Sequence, residues 1–454
     1  MTAITDANTF IDQNLINVPY QGVPATTLNA CLKTITNVFN SYATIASVNS
    51  LFGYALDGNF PAALMSAPNQ AFTLNGGYVS ISALLLFSSG QKYTVGPDGN
   101  YILNAANGPA WDWSTGRRRL LIEGIGSTNY WTNSEALAAW AAGSGSATLT
   151  ANGLFGVFSR INYTSGPSGT PIGIQGVSVT AGQVVSFTFA LKAGTVPKNI
   201  CGMLGGTSSW GVNADSTAVV LSGPGTIVQT NGGAFEATPS AAADTVYRIT
   251  RTFHINEVAY GALYDFAGAP SAGKTFSCGI PQLEIGYGSS YIVAGASPTA
   301  RAADVVTAAS GLLALLTAAN ATLAVRGTLL SPDNAMIIGS TNRYGSVYLQ
   351  NAGANFVIFD PAGGQAIYPY PSGGASKTFG VANSYSSAPV RKASVNGGAV
   401  ASDAGVVEIN GVDTGIGIGN GGLGAAGNLL LDELVVWPIL ASDVGLQAQA
   451  RVYS

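Results

Sequence analysis

The sequence predicts a mainly β protein: two β-sandwich (jelly-roll) domains preceded by a short N-terminal helical attachment or oligomerisation segment. Three observations carry this. Only 9% of the 454 residues are charged, against about 25% in an average soluble protein. Glycine, at 59 residues, is near twice its usual share of about 7%. Period-two stretches rich in Val, Thr and Tyr recur between Leu154 and Ile280, separated by Gly, Asn and Ser, which is the pattern of short strands joined by tight turns.

Composition also bounds the function. The chain is long enough for several cores. So little charge points to a surface partly covered by further copies of the chain. A net charge of −4, with Arg117-Arg118-Arg119 as the one basic run, argues against nucleic acid; the run reads as the cap of a strand. Three cysteines without a CxxC pair (Cys31, Cys201, Cys278) fit folding in a reducing cytoplasm, and the single histidine, His254, leaves no metal cluster or triad. No signal peptide is visible. Val305 to Val325 is interrupted by Thr, Ser, Asn and Gly, so it reads as a buried helix feeding a strand, and no membrane insertion is expected.

In chain order, residues 1–52 form the N-terminal segment. Leu28, Leu32, Ile35, Phe39 and Tyr42 recur at spacings of a heptad seam. The seam is open to two readings, an amphipathic helix packed on its own domain or a short parallel bundle between copies. Residues 53–90 read as a small β and turn connector, with strands at Phe72–Leu74 and Tyr78–Ile81 around Asn75-Gly76-Gly77 and a fully buried run at Ala83–Phe87. Residues 91–305 hold the first sandwich. Its lead-in, Tyr93 to Trp113, has hairpin grammar around Pro97-Asp98-Gly99-Asn100, and Val184 to Lys192 is its cleanest strand. A short helix is expected within Asn129–Trp140, ending in Ala136–Trp140. Residues 306–454 hold the second sandwich. Its strand candidates include Arg391–Val395 before the turn Asn396-Gly397-Gly398, a terminal strand at Asn428–Trp437, and a capped helix after Ser442.

Two stretches stand out as a pair. Leu120-Leu121-Ile122-Glu123, Thr128-Asn129 and Asn133-Ser134-Glu135 are answered by Gln282-Leu283-Glu284, Ser290-Tyr291-Ile292 and Arg301-Ala302-Ala303-Asp304. In this order they resemble a domain found in tailed-bacteriophage virion proteins, tail fibres and head fibres among them, whose middle is similar to carbohydrate-binding-module jelly rolls. The family's arginine-containing run after the glutamate is replaced here by Gly124-Ile125-Gly126-Ser127. The C-terminal third resembles a concanavalin-like (laminin-G-like) lectin domain, through Ile416-Gly417-Ile418-Gly419 and Leu431-Asp432-Glu433-Leu434-Val435-Val436-Trp437, with Pro438 and Ile439 as departures. The paired signatures bring the ends of the first sandwich together, with Glu123 and Arg301 as an ion pair that acts as a structural clasp.

The resemblance implies a virion structural protein, assembled in the host cytoplasm, with three kinds of partner. These are itself as a homotrimer, other virion proteins through the N-terminal segment, and host surface polysaccharide. Sugar recognition needs aromatic faces beside polar groups. Trp210, Tyr344, Tyr368, Tyr370 and Tyr385 have the loop-like, polar surroundings to offer them, although each is individually better explained by packing or oligomer contact. Two further classes stand beside this one, a decoration protein without a ligand and a depolymerase. No enzyme is expected: the acids are scattered, and Asp432-Glu433, on regular alternation, would point to opposite faces of a strand. No cofactor is expected. A Ca²⁺ site built from loop Asp, Asn and carbonyls is compatible with both sandwiches, but no motif supports one and no ligands are assigned.

Overall fold

The computed structural model describes residues 56, 59–136, 146–164, 171–193, 200–206, 220–222, 228–229, 235–237, 244–265, 275–330, 335–340, 346–350, 355–359, 365–369, 377–386, 391–403, 415–419 and 426–452. The chain divides into two compact units, Met1–Pro61 and Ala62–Ser454. Of the first, residues 56 and 59–61 are described, and Leu56 forms a bridge with Asn59. The heptad seam from Leu28 to Tyr42 lies outside the described residues.

The second unit is mainly β, as expected, and consists of two sandwiches. The first pairs a six-stranded sheet with a five-stranded one. Its long central strands are Val184–Ala193 and Thr275–Ile285, which run antiparallel side by side. Alternation is the reason for their placement: Val185, Phe187, Phe189 and Leu191 all enter the core, where they meet Leu204, Ala259 and Leu263 of the facing sheet. Trp131 stacks on Phe187 at 5.3 Å and closes one side. His254 is exposed and lies just beyond the strand Thr245–Thr252.

The second sandwich pairs a ten-stranded with a seven-stranded sheet. Its axis is Asn428–Trp437, every residue of which is buried. On one edge it pairs with Asn320–Leu329 along its length; on the other it pairs first with Arg119–Glu123 and then with Ala63–Ser66. Leu120 and Ile122 therefore sit in this core, beside Leu429, Leu431, Leu434 and Val436. Leu85–Ser88 likewise joins the seven-stranded sheet through Val305–Ala308. The stretch expected as a connector thus supplies strands to both sheets of the C-terminal sandwich.

Local chemistry agrees with several turns and caps. Asn396 (φ 51°) and Gly397 (φ 74°) make the left-handed hairpin turn that an Asn-Gly pair favours. Ser442 Oγ accepts from Gly445 N at 3.2 Å and starts the helix Asp443–Gln449. The apolar stretch after Val305 resolves into the strand Val305–Ala308, the helix Ser310–Leu316 and the strand Asn320–Leu329. Among the described residues no helix is long and apolar enough to cross a membrane.

Some expectations are corrected. Ala83–Phe87 is not a fully buried run: Leu84 and Leu85 are buried but Leu86 is 54% exposed, because Leu85–Ser88 is an edge strand with alternating faces. The strand expected at Tyr78–Ile81 shortens to Gly77–Tyr78, and a 3-10 turn, Ile81–Ala83, follows. The strand Ser146–Leu154 was not anticipated. Of the helix expected within Asn129–Trp140, the described residues 129–136 are strand end, turn and bend and not helical, and 137–140 lie outside the described residues.

Candidate functional site: a buried polar clasp

The two signature stretches converge. Ser127–Asn129 pairs antiparallel with Thr299–Arg301, so the chain leaves the C-terminal sandwich and returns to it through a two-stranded stem. Asp304 N donates to Glu123 O at 2.8 Å just beyond that stem. Everything between 129 and 299, including the whole first sandwich, is inserted there.

Glu123 is the centre of the clasp and is 1% exposed. Its Oε1 accepts from Ser290 N at 2.6 Å and its Oε2 from Ser290 Oγ at 2.8 Å. Arg301 Nη2 lies 2.9 Å from Oε2, the ion pair expected from sequence. Burial alone would raise the Glu123 pKa, but Arg301, then Lys92 and the Ser290 hydrogen bonds outweigh it and hold the carboxyl below its ordinary value. Arg301 Nη1 also donates to Ser290 Oγ at 2.6 Å, so the serine is gripped from two sides.

Behind Ser290 stands a second layer. Glu284 accepts from Ser289 N (2.9 Å), Ser289 Oγ (2.6 Å) and Gln282 Nε2 (2.7 Å). Gln282 Oε1 accepts from Ile292 N at 2.6 Å. Asn129 ties the opening stretch to the closing one, accepting from Leu283 N (3.1 Å) and donating to Ile292 O (2.8 Å). Glu135 accepts from Tyr291 Oη and Ser159 N, both at 2.7 Å; burial raises its pKa despite these bonds. The polar letters of the signature are thus the hydrogen-bond partners of one another, which is how buried polar groups are retained.

Lys92 completes the cluster, and sequence reading passed over it. Its Nζ contacts Asp304 Oδ2 and lies 3.9 Å from Glu123 Oε2. The hairpin Lys92–Val95 with Tyr101–Asn104 delivers it. Tyr93 and Tyr101 pack on Phe158, at 4.7 and 5.4 Å between ring centroids. The Tyr101 phenol is pushed up to about 12 by burial. Alternation turns Lys92 and Thr94 to the other face, where both are buried. In a chain so poor in charge, a lysine opening a Tyr-Thr-Val strand was the available signal.

A second set of ion pairs surrounds Asp432 and Glu433. The register between Asn320–Leu329 and Asn428–Trp437 shifts between Arg326 and Gly327, leaving Asp432 as the extra residue of a β-bulge. Inward Leu431 and Leu434 flank the two acids, so the pair shares the outer face instead of pointing to opposite faces. Each has its own cation: Arg119 (3.3 Å) and Arg117 (3.2 Å) for Asp432, and Arg326 for Glu433. Arg118 lies 4.1 Å over the Trp111 ring. The triple-arginine run is structural, as read.

The candidate sugar contacts are placed unevenly. Tyr385 is corrected: it lies on the strand Lys377–Ser386, 1% exposed, with its Oη donating to Leu316 O at 2.8 Å, and is a core residue. Tyr368 belongs to the strand Gln365–Pro369 and not to a loop. Trp210, Tyr344 and Tyr370 lie outside the described residues. Among the described residues no group of His, Cys, Asp and Glu is arranged to hold a metal.

No protein-family model matches the sequence, and no curated protein matches it. Among solved structures, the chain is similar to the CBM40 of Ruminococcus gnavus IT-sialidase bound to α2,3-sialyllactose. Identity there is 13% over 31% of this chain and 87% of that one, with a TM-score of 0.26. It is also similar to the binding domain of botulinum neurotoxin DC in complex with rat synaptotagmin II, at 12% identity over 32% of this chain and 38% of that one, with a TM-score of 0.25.

Proposed function

We propose that this chain is a structural protein of a tailed-phage particle, a tail fibre or head fibre that projects its two sandwiches for recognition of host surface glycan. One observation carries the reading: the two halves of the virion-protein signature, remote in sequence, are mutual partners in one buried network around Glu123. That Glu123, Arg301 and Ser290 are held by one another supports a clasp and not a site acting on an external substrate; Asp432 and Glu433 are likewise occupied by arginines. Residues 1–52 serve as the attachment and trimerisation segment in this reading, with the seam from Leu28 to Tyr42 between copies. Trp210, Tyr344, Tyr368 and Tyr370 are the remaining candidates for sugar stacking. The core position of Tyr385 favours, as second reading, a decoration protein without a ligand.

Gold-labelled antibody against residues 62–454 on purified particles tests the assignment: labelled fibres or head vertices are expected, and unlabelled particles overturn it. A glycan array probed with the trimer separates the two readings, since no binder at high valency leaves decoration. Release of reducing ends from host capsule would establish a depolymerase instead.

A further inference from the structure

We propose that Lys92 and Asp304 become joined by an intramolecular amide bond, formed by the folded chain itself with Glu123 as proton relay. The inference stands on the clasp geometry and does not depend on the virion assignment. Lys92 Nζ is in direct contact with Asp304 Oδ2 and 3.9 Å from Glu123 Oε2, and the three side chains are 1–3% exposed. A lysine amine beside a carboxyl group is a nucleophile beside an electrophile, and both are held in place by separate strands.

The two oxygens of Asp304 differ in a way that assigns their fates. Oδ2 accepts from the backbone N–H of Glu123 at 2.6 Å, a fixed donor positioned to stabilise negative charge on that atom. Oδ1 is buried without a hydrogen-bond partner. Transfer of one proton from the Lys92 ammonium to the Asp304 carboxylate removes two buried charges at once, which a site closed to water favours. Burial accordingly raises the Asp304 pKa, against the opposing pull of Lys92. The neutral amine then attacks Cγ, and charge develops on Oδ2 under the Glu123 N–H. Glu123, kept ionised by Arg301, takes the proton shed by the nitrogen and returns it to the departing Oδ1 hydroxyl. The N–C bond forms, the C–Oδ1 bond breaks, and one water leaves. No oxidant, metal or co-reactant is needed. The bond would link the hairpin ahead of the inserted sandwich to the segment that follows it.

Intact-mass measurement of the denatured full chain is the test. A mass one water below that of the sequence is expected, and digestion is expected to give a branched peptide joining Lys92 to Asp304. The full sequence mass, or a missing water located elsewhere, overturns the proposal. Lys92→Arg keeps a cation against Asp304 but cannot form the amide, so it should fold and show the full mass; a missing water in that variant also overturns it. Glu123→Gln should leave the bond unformed or slow its appearance after refolding. Unchanged bond formation in that variant would remove Glu123 from the relay.

Discussion

Glu123 and Arg301 are opposite charges taken out of water together, and the energetics of such a pair are asymmetric. Removing one partner leaves an uncompensated buried charge and costs about 3–5 kcal/mol, whereas the intact pair adds little by itself. Arg301→Leu is therefore expected to lower unfolding free energy by about that amount at pH 7, measured by chemical denaturation. The sign of the pH dependence follows from the lowered Glu123 pKa. In the native chain its contribution is complete above the ordinary value of 4.5 and is lost as pH falls through the lower folded value. In the variant the main depressing cause is gone, so protonation now relieves an unpaired charge. The gap between the two proteins should narrow as pH falls below about 5; a gap constant from pH 7 to 4 would contradict this account. Glu123 and Arg301 could be paired from sequence because they lie in the two stretches that answer each other along the chain. Lys92 belongs to neither group, and only the fold of its hairpin shows that it reaches them.

At the level of elements, backbone approach decides what the signature can contain. A Cβ on Gly124 would lie 2.1 Å from Gly419 O and 2.9 Å from Gly427 O. The chain here passes against the backbone of Gly419 and Gly427, and there is no room for a side chain. This gives a physical reason for glycine at position 124. Gly124→Ala is expected to separate Arg119–Glu123 from Asn428–Trp437 and to cost about 1–3 kcal/mol, as overpacking does; hydrogen exchange at Leu120 and Ile122 should rise first. Strand positions were largely legible because alternation and turn residues are local signals: Val184–Ala193, Arg391–Val395 and Asn428–Trp437 lie where expected. The bulge at Asp432 was not legible. It depends on the register against Arg326 and Gly327, a non-local pairing that the alternation of one strand cannot report.

For the molecule as a whole, the order of strands in space differs from the order of domains in the sequence. Ala63–Ser66 and Arg119–Glu123 both belong to the C-terminal sandwich, and the first sandwich is inserted at the stem formed by Ser127–Asn129 and Thr299–Arg301. The boundary expected at 305 follows from the closing signature, which ends at Asp304, and from taking the domains to follow one another along the chain. Two deletions distinguish the topologies. A chain of 62–129 joined to 299–454 by a tight turn is expected to be soluble and β-rich by gel filtration and circular dichroism. Residues 306–454 alone lack three pairing strands and are expected to aggregate through open edges.

The same arrangement has a consequence for synthesis. Asn428–Trp437 is made several hundred residues after Ala63–Ser66 and Arg119–Glu123, yet both of these strands, with Asn320–Leu329, dock on it. At ribosomal speeds of about 5–20 residues per second, the earliest of these strands waits on the order of tens of seconds for its partner. The inserted sandwich has its last strand by Ile285 and is free to fold during that interval. A premature stop anywhere before Trp437 would leave a folded insert carried on an unfinished, sticky base, a product for the cell's proteases and not a shortened working protein.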